Sequence, residues 1–244
     1  YSNGTWEDSS LRAITFTQPV QYQGNEEFVK WFTANAKPLP AKGKTLNEYT
    51  WDEISRISLA DKAVEYLLTR DILGVDTETR PSFCKGVLHN VALLQVASHD
   101  VCFLFRLNII GMVPSIIRLL EDTSVPKIGL SLHEDLMMLH RRTDFVPGNF
   151  IDLQNIVSEL GIEDKSLRKL YANVFNMRIS KRMQLSNWEN DILTDKQKMY
   201  AATDAWTCIN LYEELRKLQE TGDYQLVCAE ETKEDPIQTS RINE

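Results

Sequence analysis

"DILGVDTET", residues 71–79, begins as an apolar strand and ends in acids. Asp76 and Glu78 stand two apart, so on a strand their carboxylates point to the same side of the sheet. Two adjacent anions repel, and the pair costs stability unless a cation sits between them, which makes a divalent metal the natural explanation. Taken alone, an Asp-x-Glu at a strand end is more often a solvated terminus.

Outward from that strand the pattern is regular. "NVALLQVAS" (90–98) reads as a buried strand and "VCFLFRLN" (101–108) as a third, with connections short enough for an antiparallel meander. Upstream, Thr50 and Glu53 have capping-box spacing, and a second helix start at Ser58 leads into "LADKAVEYLLTR", with Ala63, Val64 and Leu67 on one face. Downstream come a helix in "VPSIIRLLED", a strand in "VPKIGLS" and a helix in "HEDLMMLHRR". "FIDLQNIVSELG" and "SLRKLYANVF" add a short strand and helices, and a long helix from Thr194 to about Leu218 closes the pattern. Three meandering strands followed by alternating helices and strands predict an α/β domain with a mixed sheet.

The 244 residues, 43% of them hydrophobic, suffice for one large domain or for one with a small appendage. Residues 51–222 are expected to form the main domain. The chain opens on Tyr1, as a processed chain or a fragment would, and residues 1–50 read differently from the rest. There "ITFTQPVQYQ" alternates like a half-buried strand, "NEEFVKWF" suits a short capped helix, and "AKPLPAKGKTLNEY" resembles a linker. Residues 223–244 are charged and proline-broken, which predicts a loose tail. Cys84, Cys102, Cys208 and Cys228 lie far apart without a CxxC pair, so neither a zinc ribbon nor a disulfide framework is suggested. No apolar run reaches the roughly 18 residues that span a bilayer, and the expectation is a cytoplasmic protein with no membrane contact. A net charge of −8 argues against coating nucleic acid through bulk positive charge, but not against an enzyme that holds a short piece through metal ions.

Two further acids stand out. In "IGLSLHEDLMML" (128–139), Asp135 falls in the first turn of a helix whose buried side comes from Leu136, Met138 and Leu139, while Glu134 faces solvent. An acid favoured by the helix dipole is the plainer explanation of Asp135. In "TDKQKMYAATDAW" (194–206), Tyr200 and Asp204 are i and i+4, so phenol and carboxylate lie side by side. The apolar stripe runs through Ala202, Ala205, Trp206, Ile209 and Tyr212, which leaves the pair on a neighbouring face. A surface hydrogen bond is the commoner meaning of such a pair.

The conjunction of the three, each on the element its chemistry requires, changes the odds. "ILGVDTETR", "NVALLQVA", "IGLSLHEDLMML" and "LSNWENDILTDKQKMYAATDAW" together resemble the DEDDy 3′-to-5′ exonucleases, the group of ribonuclease D and the exonuclease domain of the Werner syndrome helicase. The likeness covers roughly residues 58–220, and the segment from "LSNW" to "YAATDAW" is its most specific part. It implies a ribonuclease H-like α/β fold, a mixed sheet flanked by helices, and hydrolysis of nucleotides from single-stranded 3′ ends of DNA or RNA. It also implies that Asp76, Glu78, Asp135 and Asp204 bind two divalent ions, Mg²⁺ or Mn²⁺, while Tyr200 helps to orient the attacking water. The roles make physical sense, because hard oxygen ligands suit these ions and two of them can stabilise both the attacking and the leaving oxygen of an in-line displacement. A sister group places histidine five residues before the last aspartate, where this chain has Met199.

Other features have competing readings. "HEDLMMLH" is no HExxH zinc site, because position 137 is methionine. Residues 165–182 are basic and carry Tyr171 and Phe175, so they form either a solvated face or a rim that contacts phosphates and bases. Lys181 is the best single candidate for substrate contact, since the resemblance includes a basic residue just before "LSNW"; Thr77, between the first two acids, is the other. Trp188 reads as a packing residue, and Gln95 as a polar core residue that needs a partner in or near the site. His89 and Asn90 lie on the approach to the second strand. A binding or scaffolding module with the same fold is the rival to an enzyme, although no acid is missing, and residues 1–50 are a candidate surface for a protein partner.

Overall fold

The computed structural model describes residues 13–15 and 51–226. Its centre is a six-stranded sheet built from β1 (Ala13–Thr15), β2 (Leu73–Thr79), β3 (Val91–Ala97), β4 (Cys102–Phe105), β5 (Lys127–Gly129) and β6 (Phe150–Asp152), in the order β1-β4-β3-β2-β5-β6. β2, β3 and β4 form the expected antiparallel meander, whereas β1 joins β4, β5 joins β2, and β6 joins β5 in parallel. The sheet is therefore mixed. All seven residues of β3 are buried, which explains why "VALLQVA" reads as an apolar run: helices cover both faces.

Helices α1 (Trp51–Leu67), α2 (Leu107–Ile110), α3 (Pro114–Glu121), α4 (Leu132–His140), α5 (Leu153–Glu159), α6 (Leu167–Phe175) and α7 (Asp195–Thr221) complete the described residues. On one face Val64 and Leu67 of α1, Ile116 and Leu119 of α3 and Leu139 of α4 pack on Leu73, Val75, Val96, Phe103 and Phe105. On the other, α5, α6 and α7 pack Leu153, Leu170, Ala202, Ala205 and Ile209 against Ile72, Leu93, Leu104 and Ile128. Each such leucine, isoleucine, valine or phenylalanine side chain stabilises by about 1.5–3 kcal/mol on burial, so the two layers hold the sheet from both sides.

Some expectations need correction. α1 runs unbroken through Ser58, where a new start is predicted; no glycine or proline interrupts it, and serine is tolerated inside a helix. The one-turn α2 is too short to show any periodicity. Within "ITFTQPVQYQ" only Ile14 and Thr15 fall in the described strand β1, and the remainder of residues 1–50 lies outside the described residues, as do Thr50 and the tail from residue 227. No helix among the described residues is long and apolar enough to cross a membrane.

α7 starts where the sequence says it should. Thr194 accepts from the Gln197 amide at 3.3 Å and its own amide donates to Gln197 Oε1 at 3.1 Å, a reciprocal capping box. Its burial is not as expected. Every residue from Ala201 to Ile209 is buried, so the helix has no spare face there: Asp204 lies inside the protein. Gly74 makes the depth possible, since a Cβ at that position would overlap the Ala205 carbonyl of α7.

Candidate active site

β2 delivers Asp76 and Glu78 towards α7, while Thr77 points to the opposite face and towards α4. The ladder shifts register between Glu78 and Thr79, so regular pairing ends beside the second acid. α7, lying against β2 through Gly74, brings Asp204 to the same place. Carboxylate oxygens of Asp76, Glu78 and Asp204 all lie within 4.8 Å of one another. With Thr77, Leu130, Ser166, Leu167, Arg168, Ser180, Lys181, Gln184, Tyr200 and Cys208 they line a cavity of about 290 Å³. A larger hollow of about 440 Å³ runs from Pro114 to Thr123 but gathers no such cluster.

The electrostatics are those of anions without enough countercharge. Burial pushes the Glu78 carboxyl from its ordinary 4.5 to about 10, helped by the charges of Asp76, Asp204 and Asp135. Burial, and then Asp135 and Asp204, hold Asp76 well above the usual carboxylate range. Asp204 rises to about 7 through burial, against the opposing effects of a hydrogen bond from Tyr200 and the positive charge of Arg168. The Tyr200 hydroxyl is itself pushed up by burial and by Asp204, so it stays a protonated donor. Trp188, fully buried, stands 6.1 Å from the Tyr200 ring and acts as packing, as expected.

Asp135 sits beside this group rather than within it. It accepts a hydrogen bond from the Thr77 hydroxyl, and burial raises it to about 6. The Thr77 hydroxyl is therefore engaged with an acid; what the residue adds to the cavity is its place in the wall. Asp152 sets the start of α4, taking the Ser131 and Leu132 amides at 3.1 and 2.9 Å while capping α5 through the Gln154 amide at 2.9 Å. The sequence reading missed Asp152, whose only local signal is its position before a helix. Glu134 faces solvent, and the expected inner side of α4 is only partial: Leu139 is buried, whereas Leu136 and Met138 are half-buried.

Lys181 lines the cavity, exposed at its edge. The reading of residues 165–182 also overlooked Arg168, which is half-buried in the first turn of α6 and donates Nε to the Ile179 carbonyl at 3.0 Å. Gln95 stands opposite Asp76 in the ladder, fully buried, and its amide has no hydrogen-bond partner among the described residues. His89 is drawn instead into a contact with Glu189 at 3.5 Å.

Comparison with known proteins places these features in a family. A family model described as 3′-5′ exonuclease matches residues 52–220. The chain is 33% identical over 158 residues to the mouse bifunctional 3′-5′ exonuclease/ATP-dependent helicase WRN, covering 62% of this chain and 11% of that protein. It is 37% identical over 156 residues to Drosophila melanogaster exonuclease 3′-5′ domain-containing protein 2, covering 62% and 26%. The chain thus spans between a tenth and about a quarter of the length of these relatives. Among solved structures, Escherichia coli RNase D superposes with a TM-score of 0.59 at 19% identity, over 66% of this chain and 43% of that one. The EXO domain of Aedes aegypti Nibbler gives 0.60 at 19% identity, over 66% and 85%. These likenesses give the ribonuclease H-like fold, and with the match over residues 52–220 the chain belongs to the 3′-5′ exonuclease family, of the DEDDy type.

Proposed function

We propose that this chain is a metal-dependent 3′-to-5′ exonuclease that removes nucleotides from single-stranded 3′ ends of DNA or RNA, with residues 51–222 as its catalytic domain. The observation that carries the reading is the convergence of Asp76, Glu78 and Asp204 within 4.8 Å in a cavity edged by Arg168 and Lys181. Carboxylates at such spacing repel one another, and the raised pKa values of Asp76 and Glu78, lifted by neighbouring acids as well as by burial, register that cost. The donor set is all hard oxygen, which suits Mg²⁺ or Mn²⁺, and Asp135 is a fourth acid close enough to influence Asp76 and Glu78 electrostatically. Two ions in this site would supply the positive charge that stabilises the attacking and leaving oxygens of a phosphoryl displacement.

The chain's own residues then have distinct tasks. Asp76, Glu78 and Asp204 hold the ions, and Asp135 is kept in place by Thr77. Tyr200, which remains protonated, orients water through its hydroxyl instead of removing a proton. The cavity, about 290 Å³, lies just under the roughly 300–1,000 Å³ of ligand sites, a size that suits one terminal nucleotide better than a duplex. The buried free thiols Cys102 and Cys208 support a reducing compartment such as the cytoplasm.

The test is degradation of 5′-labelled single-stranded DNA and RNA with Mg²⁺, Mn²⁺ or EDTA, using the wild type, Asp76→Ala and Tyr200→Phe. The expected result is a metal-dependent ladder that shortens from the 3′ end and is lost in Asp76→Ala. Intact binding without cleavage under any metal would make the chain a binding module instead.

A further inference from the structure

The guanidinium of Arg168 is positioned but not consumed. Its Nε donates to the Ile179 carbonyl at 3.0 Å, which restrains the side chain in the cavity wall. Its two terminal nitrogens have no hydrogen-bond or ion-pair partner among the described residues, although the side chain lines the cavity that holds three acids. Its charge reaches Asp204 without forming an ion pair within 4.0 Å. A half-buried arginine pays desolvation and side-chain entropy for such a position, and it normally recovers them through paired bonds to a planar anion. Around it the same wall carries the hydroxyl residues Ser166 and Ser180 and the ammonium of Lys181. The cavity thus sets hydrogen-bond donors and positive charge on one wall across from three carboxylates on the other, the arrangement a metal-bound phosphate would bridge.

Resting on the exonuclease reading above, we propose that Arg168 binds the 5′-phosphate of the nucleotide being released, with both terminal guanidinium nitrogens, and so sets the affinity of the site for nucleoside 5′-monophosphates. Lys181, exposed at the edge, is a point charge on a flexible stem and adds attraction without orientation. The arrangement predicts a site that tells AMP from adenosine through Arg168, and a variant that keeps its metals while losing its grip on the phosphate.

The experiment is calorimetric titration of AMP and of adenosine into the full chain with Mg²⁺ present, for the wild type, Arg168→Ala and Arg168→Lys, followed by steady-state cleavage of a labelled single strand. Wild-type protein should bind AMP well above adenosine. Arg168→Ala should lose about tenfold to a hundredfold in AMP affinity with adenosine unchanged, the scale of charge-assisted phosphate bonds. Arg168→Lys should recover part of that loss, because charge survives and the fork does not. KM should rise with the AMP dissociation constant, and an unchanged melting temperature shows that the fold is kept. Equal AMP binding by the wild type and Arg168→Ala, or no preference of the wild type for AMP over adenosine, overturns the proposal. If cleavage of 3′ ends persists in that case, the exonuclease reading stands without it; absence of cleavage with AMP binding that depends on Arg168 would sink that reading and leave the phosphate site.

Discussion

Two walls face each other across the cavity, and they are made differently. The acid wall is regular secondary structure: β2 supplies Asp76 and Glu78, α7 supplies Asp204 and Tyr200, and the two elements touch backbone to backbone at Gly74 and Ala205. The basic wall is the first turn of α6 and an irregular segment through residues 177–193, held by side chains that reach for carbonyls: Arg168 for Ile179, Gln197 for Asn187, Arg106 for Asn190. On the proposed exonuclease reading, chemistry that needs carboxylates held in fixed positions falls to regular secondary structure. On the same reading, contact with a variable substrate falls to the irregular segment.

The largest effect should come from breaking the acid wall. Asp76→Asn is expected to reduce single-strand cleavage by about 10³-fold or more, roughly 4 kcal/mol of barrier, because on the proposed mechanism the ions would lose a ligand. Single-turnover kinetics with saturating Mn²⁺ measures it, and a drop of less than tenfold would remove Asp76 from the site. Next comes Gly74→Ala, which forces α7 away from β2 and should cost about 2–3 kcal/mol in urea denaturation. Lys181→Ala, on the other wall, should stay within about 0.5 kcal/mol of wild type. Similar losses for both would erase the contrast between the walls.

A third prediction concerns pH. Asp204, Asp135 and Glu78 have pKa values raised in the folded state, to about 7, 6 and 10. Folding is therefore favoured by their protonated forms. Their contribution is complete below the unfolded values near 4 and is lost as pH climbs through each folded value. In EDTA the melting temperature should fall from about pH 5 towards pH 9, and the rise on adding Mn²⁺ should grow over the same window. Glu78→Gln should flatten the upper part of that curve. A metal-induced rise that is constant with pH would mean that these acids are not the ligands.

The contrast also explains what could be read beforehand. Each acid carries a local signature: a strand end for Asp76 and Glu78, a helix first turn for Asp135, an i to i+4 pair for Tyr200 and Asp204. The predicted start at Thr194 falls on the N-cap of α7, whereas the helix runs on to Thr221, three residues past the predicted end near Leu218. Arg168 has no such mark, because its orientation depends on a carbonyl eleven residues away in an irregular segment. Asp152 is hidden for the same reason, since its task at α4 is tertiary. The burial of α7 escaped a reading that assumed one apolar stripe and one free face; small residues such as Ala201, Ala202 and Ala205 allow β2 on one side and α5 and α6 on others to approach together.

The smallest expected effect tests how the basic wall is held. Glu189 takes Arg80 at 3.2 Å and His89 at 3.5 Å, so both ends of the connection between β2 and β3 are tied to the segment that carries Lys181 and Gln184. Asn108 adds a bond to the Glu189 carbonyl at 3.5 Å. These side chains are partly exposed, so Glu189→Gln should cost less than about 1 kcal/mol of stability. If the segment bears on substrate and not on chemistry, the same change should raise KM by about two- to fivefold and leave kcat alone, an effect of the same energy. Raising the salt should weaken the wild type towards the variant, because a partly exposed ion pair is screened. A fall in kcat matching the rise in KM would show that loosening the basic wall moves the acids as well, and that the two walls respond as one body.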